Sequence, residues 1–255
     1  NARVMTLVKD EPMTQEEQDV SDRAVAFAME SRTRIARELT CLDDFPSDEY
    51  PVSVFMSGSP GAGKTEVSRA FIQMMQAGGS TALRIDPDDF RCYFPEYTGQ
   101  NSSLFQRGVT KYVERTLDRV YQQRQSFLLD GTLANLDVAR RNISRALDKP
   151  NRSAQIIYVY QRPELAWEFV LAREKKDGRN IPCPEFVRQF YAAKASVCAL
   201  KREFEQALQV DVIIKDNDGG NADIGIDLSA DEIDGFVNQP YDHEELEKIL
   251  NGVFQ

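Results

Sequence analysis

Apolar residues along this chain follow two rhythms that replace each other several times. In residues 14–40 they recur every three or four positions, at Val20, Ala24, Phe27, Ala28, Ile35 and Leu39. That is the spacing of one helical face, and Thr14 with Glu17 has the form of a reciprocal cap at its start. A polar, turn-prone stretch, CLDDFPSDEYP, leads to a compact β-branched and apolar run, PVSVFMS at 51–57, which suits a strand buried on both faces. Helical spacing resumes from Lys64 to Gln76. Four more apolar runs predict strands: TALRID (81–86), SFLLDG (126–131), AQIIYVYQ (154–161) and VDVIIKD (210–216). Between them FQRGVTKYVERTLDRVYQQ, LDVARRNISRAL and ELAWEFVLAREKK have helical periodicity. In the acidic end of the chain, DNDGGNADIGIDLSADEID predicts a loop or small hairpin and DHEELEKIL a closing helix.

Strands alternating with helices predict an α/β fold in which a mostly parallel sheet is covered on both faces and binds its ligand at the strands' carboxyl ends. With no repeat and no low-complexity linker, a single domain is expected over 1–255. It divides into an N-terminal helical segment (1–50), a core (51–216) and an acidic C-terminal extension (217–255).

Composition limits what such a fold can do. The chain has 255 residues, 42% hydrophobic and 28% charged, with a net charge of -10. No apolar run approaches the ~18 residues of a membrane span, and the first residues lack the apolar centre of a secretory signal. Cys41, Cys92, Cys183 and Cys198 have neither paired nor metal-ligand spacing, so a reducing cytosol is expected. The acidic balance argues against a broad nucleic-acid surface. An anionic substrate must therefore be met by a few local cations.

Directly after the first strand run stands SGSPGAGKTE, with the pattern Gly58-x-x-x-x-Gly63-Lys64-Thr65. The strand, loop, helix context is the one in which this pattern wraps nucleotide phosphates. Gly58, Gly61 and Gly63 permit tight turns, with Ser59, Pro60 and Ala62 between them, and the helix start through Glu66 offers amides and positive dipole. Lys64 is expected to reach the β and γ phosphates and Thr65 to hold Mg²⁺, so ATP and Mg²⁺ are the expected cofactors.

The loop names a ligand but not a reaction. At the end of the second strand, RIDPDDFRCYFPEY crowds Asp86, Asp88 and Asp89 beside the expected γ phosphate. Carboxylates there can orient and deprotonate a hydroxyl, the part a kinase needs and a switch does not; the same residues also suit an acidic turn capping a helix. Asp130, after the third strand, is where a second acid often sits near Mg²⁺, directly or through water. AREKKDGRNIPCPEF supplies Arg173, Lys175, Lys176 and Arg179 at a helix end, either a solvated basic face or a lid closing over the transferring phosphoryl group.

The combination GSPGAGKTE, IDPDDFR with FPEY, LLDGTLAN and ARE…GRNIP resembles the zeta toxin family, the kinase halves of bacterial toxin–antitoxin pairs, over roughly residues 50–215. The resemblance implies phosphorylation of the 3′-hydroxyl of the sugar in UDP-N-acetylglucosamine. It also implies Lys64 and Thr65 as phosphate and Mg²⁺ ligands, Asp88 as catalytic base, and Arg173 and Arg179 as catalytic arginines. Glu114, Asp130 and Thr132 then match substrate-pocket positions. Where well-known members place a basic side chain two residues past that Thr, this chain has Ala134 followed by Asn135, itself a candidate substrate contact, and a later Thr position falls at Asn142.

Two other functions compete with that reading. One is a kinase of another nucleotide-linked substrate, including a nicotinamide dinucleotide. The other is a nucleotide-dependent switch without catalysis, for which Asp88 is dispensable and Lys64 is not. The resemblance further implies restraint by a helical antitoxin. The 14–40 helix is expected to be a core helix, with a masking segment over the site as the alternative. The single histidine, His243, is expected at the surface.

Overall fold

The structure is a computed structural model describing residues 13–178, 180–218 and 220–252. Arg179 lies outside the described residues. Six strands among those described form one sheet in the order β2-β3-β1-β4-β5-β6. They are β1 (Val52–Ser57), β2 (Leu83–Ile85), β3 (Phe127–Leu129), β4 (Ser153–Tyr160), β5 (Leu208–Lys215) and β6 (Asn221–Gly225). All neighbours are parallel except β5 and β6, which form an antiparallel hairpin. β2 and β3 are three residues each, shorter than their apolar runs, although the Asp130 amide still donates to the Ile85 carbonyl at 2.8 Å.

Side chains alternate across the sheet, which divides the core in two. Val54 and Met56 of β1 join Leu128, Ile157 and Val159 beneath α2 (Lys64–Ala77), where Val67, Phe71 and Ile72 meet them. Phe55, Phe127, Ile156 and Tyr158 point to the opposite, larger layer. That layer holds α1 (Gln15–Leu39), α3 (Gln106–Gln122), α4 (Leu136–Leu147) and α6 (Cys183–Phe204). α5 (Pro163–Asp177) closes the cavity mouth, and α7 (Ala230–Phe236) and α8 (His243–Gly252) pack on α6.

α1 starts with the expected capping box, the Thr14 hydroxyl accepting from the Glu17 amide while the Glu17 carboxylate accepts from Thr14. It buries Ala24, Ala28, Ile35 and Ala36. Its contact with α3 is close because both sides are small: a Cβ on Gly108 would lie 3.0 Å from the Ala24 carbonyl oxygen. The Tyr112 hydroxyl lies 2.7 Å from Ser31 Oγ across the same seam. α1 is thus a component of the main core, as its period implies.

Three elements go beyond what the pattern of apolar positions predicts. α6 is buried around much of its circumference, at Phe186, Val187, Phe190, Ala193, Val197 and Leu200, so no polar stripe sets off its period. α7 has its own capping box, Ser229 with Glu232, within a stretch whose composition suggests a loop. Pro87–Tyr93 winds as a 3-10 turn capped by Asp86. His243 is exposed and stacks on Tyr191, the ring centroids 4.0 Å apart. The four cysteines are free thiols, and among the described residues no helix is long and apolar enough to cross a membrane.

Candidate active site

A cavity of about 950 Å³ opens over the carboxyl ends of the parallel strands. Each of the five contributes one wall in sheet order: Asp86 after β2, Asp130 after β3, the glycine loop after β1, Gln161 after β4 and Lys215 ending β5. This is the location that a parallel α/β sheet gives to its ligand.

The loop is shaped by glycine. Gly58, Gly61 and Gly63 have φ of 142°, 73° and 87°, values that favour glycine. At two of them there is also no room: a Cβ would lie 2.3 Å from the Val159 carbonyl oxygen at Gly58 and 2.1 Å from that of Ala166 at Gly61. Ser59 and Ala62 are buried, so the loop is anchored while Pro60 and Gly61 face the cavity. Lys64 Nζ donates to the carbonyls of Gly58 (2.9 Å) and Ser59 (2.6 Å), laying the ammonium across the loop. Thr65 and Glu66 begin α2 at the cavity wall. Backbone amides, a lysine and a helix start meeting one concavity form a site for phosphates.

Across the cavity the acids are held by arginines. Arg84 donates to Asp86 (2.7 Å) and to Asp130 (2.5 Å), and its Nε to Ser68 Oγ (3.1 Å), which in turn donates to Asp130 (2.9 Å). Burial, followed by the nearby Asp88 charge, pushes the Asp86 carboxyl above its ordinary pKa. Burial pulls Arg84 down, but the pairings with Asp130 and Asp86 together outweigh this, and its pKa is raised. Asp88 is ion-paired with Arg91, and its second oxygen stands 3.5 Å from Arg173 Nη2. Arg91 is only 5% exposed and passes its other amine to Gln106 (2.9 Å). A second cavity of about 420 Å³, with Leu39, Phe90 and Tyr93 in its walls, reaches Asp86 and Asp88 from the edge of β2.

The fold therefore brings together Gly61 to Glu66, Asp88, Asp130, Thr132 and Arg173 around one cavity. Gly58 and Ser59 support its floor through the Lys64 contacts. Two expected substrate contacts stand outside the cavity walls. Glu114 lies on α3, paired with Lys111 at 3.3 Å, and Asn135 caps α4, its Oδ1 accepting from the Val138 amide at 3.1 Å. Sequence reasoning does not single out Arg84, Arg91 or Lys215. Each is a charged residue beside an apolar run, and Arg84, inside LRI, is the one whose position carries a signal.

The donor set suits a magnesium nucleotide. Among the described residues no group of three or more His, Cys, Asp or Glu side chains could hold a metal ion; Thr65 and Asp130 both line the cavity beside the phosphate loop. Asp130 is already paired with Arg84 and Ser68, an arrangement better suited to holding a metal-bound water than the ion itself.

Similarity to known proteins agrees with this geometry. Among solved structures the chain resembles the PezAT chromosomal toxin–antitoxin system of Streptococcus pneumoniae, with a TM-score of 0.62 and 20% identity over 92% of this chain and 95% of that one. It also resembles AvrRxo1-ORF1:AvrRxo1-ORF2 with sulphate ions (TM-score 0.54, 13% identity, 93% and 85% covered) and AvrRxo1-ORF1:-ORF2 with ATP (TM-score 0.53, 14% identity, 93% and 86% covered). At these identities the likeness establishes the fold alone, a mostly parallel sheet flanked by helices. No curated protein sequence matches the chain. Residues 35–229, from the end of α1 to the cap of α7 and including every residue of the loop and the acid cluster, match the family described as zeta toxin; the chain belongs to the zeta toxin family.

Proposed function

We propose that this protein is an ATP-dependent kinase toxin that phosphorylates a hydroxyl of a small nucleotide-linked molecule, with the 3′-hydroxyl of the amino sugar in UDP-N-acetylglucosamine as acceptor. The observation that carries the reading is the Asp88 carboxylate, fixed by Arg91 and facing Arg173 across the cavity that the phosphate loop lines. A nucleotide switch has no use for a carboxylate positioned there.

Bound ATP with Mg²⁺ supplies the phosphoryl group and screens its charge. The chain's own residues do the rest. The loop amides and Lys64 hold phosphate oxygens. Asp88 orients the acceptor hydroxyl and takes its proton, and the Arg91 pair limits the carboxylate to one orientation. Arg173, joined in the resemblance by Arg179, stabilises charge on the moving group. Thr65 would hold the metal ion, and Asp130, across the same cavity, would help hold it through a water. Thr132 and Asp130 border the acceptor side, whereas Glu114 and Asn135 rest on the resemblance alone as substrate contacts.

The family, and the toxin–antitoxin system to which the PezAT structure belongs, support restraint by a separate antitoxin. The burial of α1 favours this over self-inhibition, because the apolar face of a masking segment is here spent on α3 and the core.

The experiment is mass spectrometry of products after mixing the protein, ATP and Mg²⁺ with UDP-sugars and dinucleotides, beside Asp88→Asn. Phosphorylated UDP-N-acetylglucosamine is expected, falling by ~10²–10³-fold in rate with Asp88→Asn while ADP binding persists. A phosphorylated dinucleotide instead would replace the acceptor; unchanged turnover in Asp88→Asn would remove the base.

A further inference from the structure

Of the five strand ends around the cavity, those on β4 and β5 have no part in the transfer chemistry, and the one on β5 carries a cation. Lys215 is 7% exposed, and lysine is almost never buried unless its charge is met. Here the compensation is thin. Nζ donates to the neutral amide oxygen of Asn221 at 3.2 Å and lies 3.6 Å from Glu66, a carboxylate whose side chain is 75% exposed. An ammonium has three donors, and among the described residues Asn221 alone takes one at hydrogen-bond distance, inside the wall of a polar cavity.

Its position is specific. The Lys215 stem lies against the phosphate loop, where a Cβ on Gly63 would come within 2.9 Å of Cε and 3.8 Å of Nζ. Gly63 thus has a φ of 87° and also gives its side-chain space to Lys215. Two ammoniums therefore flank one loop, Lys64 over the carbonyls of Gly58 and Ser59 and Lys215 beside Gly63 and Glu66.

Strand order gives the two ammoniums different tasks. The loop rises from β1; the acids stand over β2, two strands to one side, and Lys215 ends β5, two strands to the other. With strands ~5 Å apart, each lies on the order of 10 Å from the loop's strand in opposite directions. A nucleotide whose terminal phosphate is directed at Asp88 must send its nucleoside toward β4 and β5.

We propose that Lys215 is a nucleotide-binding residue acting at the nucleoside end, its ammonium set between the α-phosphate and the ribose. The inference rests on the nucleotide-binding part of the proposed function and is independent of the acceptor. Gln161 and Asp218, which line the same end, become the polar groups nearest the base.

The test is titration of ADP into the wild-type protein and Lys215→Met, which keeps the stem and removes the charge. ADP affinity is expected to fall about tenfold, the loss of one charge-assisted hydrogen bond. KM for ATP should rise by the same factor with kcat within about twofold, because the contact is equal in ground and transition states. A Lys215→Met protein that unfolds like wild type and binds ADP equally well overturns the inference. Wild type that fails to bind ADP overturns instead the reading beneath it. Should Lys215→Met not fold, ADP with a periodate-opened ribose gives the answer on the unaltered protein. An amine at the ribose condenses with an aldehyde, losing water, and borohydride reduces the imine to a stable secondary amine. Peptide mapping is expected to place the adduct on Lys215; adducts confined to other lysines overturn the inference.

Discussion

The phosphate loop and the acidic cluster face each other across one cavity yet are held by different means. In the loop the main chain does the holding: three glycines adopt positive φ, and at two of them a neighbouring carbonyl fills the space of a missing Cβ. In the cluster, side chains do it. Arg84 ties Asp86 to Asp130 from the next strand, and Arg91 ties Asp88 to Gln106 from α3. The nucleotide grip is therefore rigid by geometry, while the acceptor side is a network of partly buried charges. The two should fail separately.

The largest expected effect is on the acceptor side, because that side rests on α1. Phe90 and Phe94 of the acidic segment stack into the Tyr112 cluster that α1 covers. Deleting residues 1–40 removes the buried residues Ala24, Ala28, Ile35 and Ala36 and opens that core, so an insoluble or molten product is expected in expression and circular dichroism. A soluble truncation with higher kinase activity would make α1 a mask.

Next in size is the loop. Gly61→Ala puts a Cβ on a main-chain carbonyl at a strained φ, and a loss of at least ~3 kcal/mol in urea unfolding is expected, with ADP binding abolished. A Cβ on Gly131, between Asp130 and Thr132, would meet nothing within 4 Å. Gly131→Ala should stay within about 0.5 kcal/mol of wild type. Equal effects from the two would mean that the loop's geometry is not what sets it apart.

That contrast also explains what is readable from the chain. Gly58, Gly63, Lys64 and Thr65 sit at fixed spacing because one continuous backbone segment makes the site, so the site is written in one stretch of letters. The sheet is legible for a similar reason: burial on both faces leaves short apolar runs such as PVSVFMS. Arg84 shows only as a charge within the apolar run LRI and Arg91 not at all, since their roles as site residues depend on partners brought by β3 and α3. Lys215 reads as the polar end of a strand because its neighbour, Gly63, is remote in sequence. α6 escapes for the opposite reason to α1: partners on several sides blur the polar–apolar contrast that marks a period. The hairpin of β5 and β6 is legible only as one of two options.

A smaller effect separates the two regions directly. Arg84 is 18% exposed at the side chain, and Arg84→Met leaves Asp86 and Asp130 in partly buried positions without their cation. Breaking such a pair costs ~3 kcal/mol or somewhat more when it is well buried; ~2–3 kcal/mol is expected by thermal unfolding at neutral pH. ADP affinity should hold within about threefold because no loop contact is lost. A collapse of ADP binding would show that the acid cluster supports the loop, and the separation would fail.

The smallest effect is a pH dependence that isolates Asp86. Its carboxyl is raised above 3.8 in the folded protein, by burial first and then by the Asp88 charge, with Arg84 opposing less strongly. A carboxyl raised by folding binds its proton more tightly in the folded than in the unfolded chain. Its contribution to stability is full below the unfolded value and is lost as pH rises through the folded one. Asp86→Asn cannot titrate, so the stability of wild type relative to this variant should decline as pH rises above the ordinary carboxyl value of ~4. The measurement is urea unfolding of both proteins at a series of pH values from there upward. If wild type instead gains on the variant with rising pH, the Arg84 pairing outweighs burial at Asp86. The acidic cluster would then be stabilised by its charges rather than strained by them, and its contrast with the strained loop would be sharper than the buried carboxyl suggests.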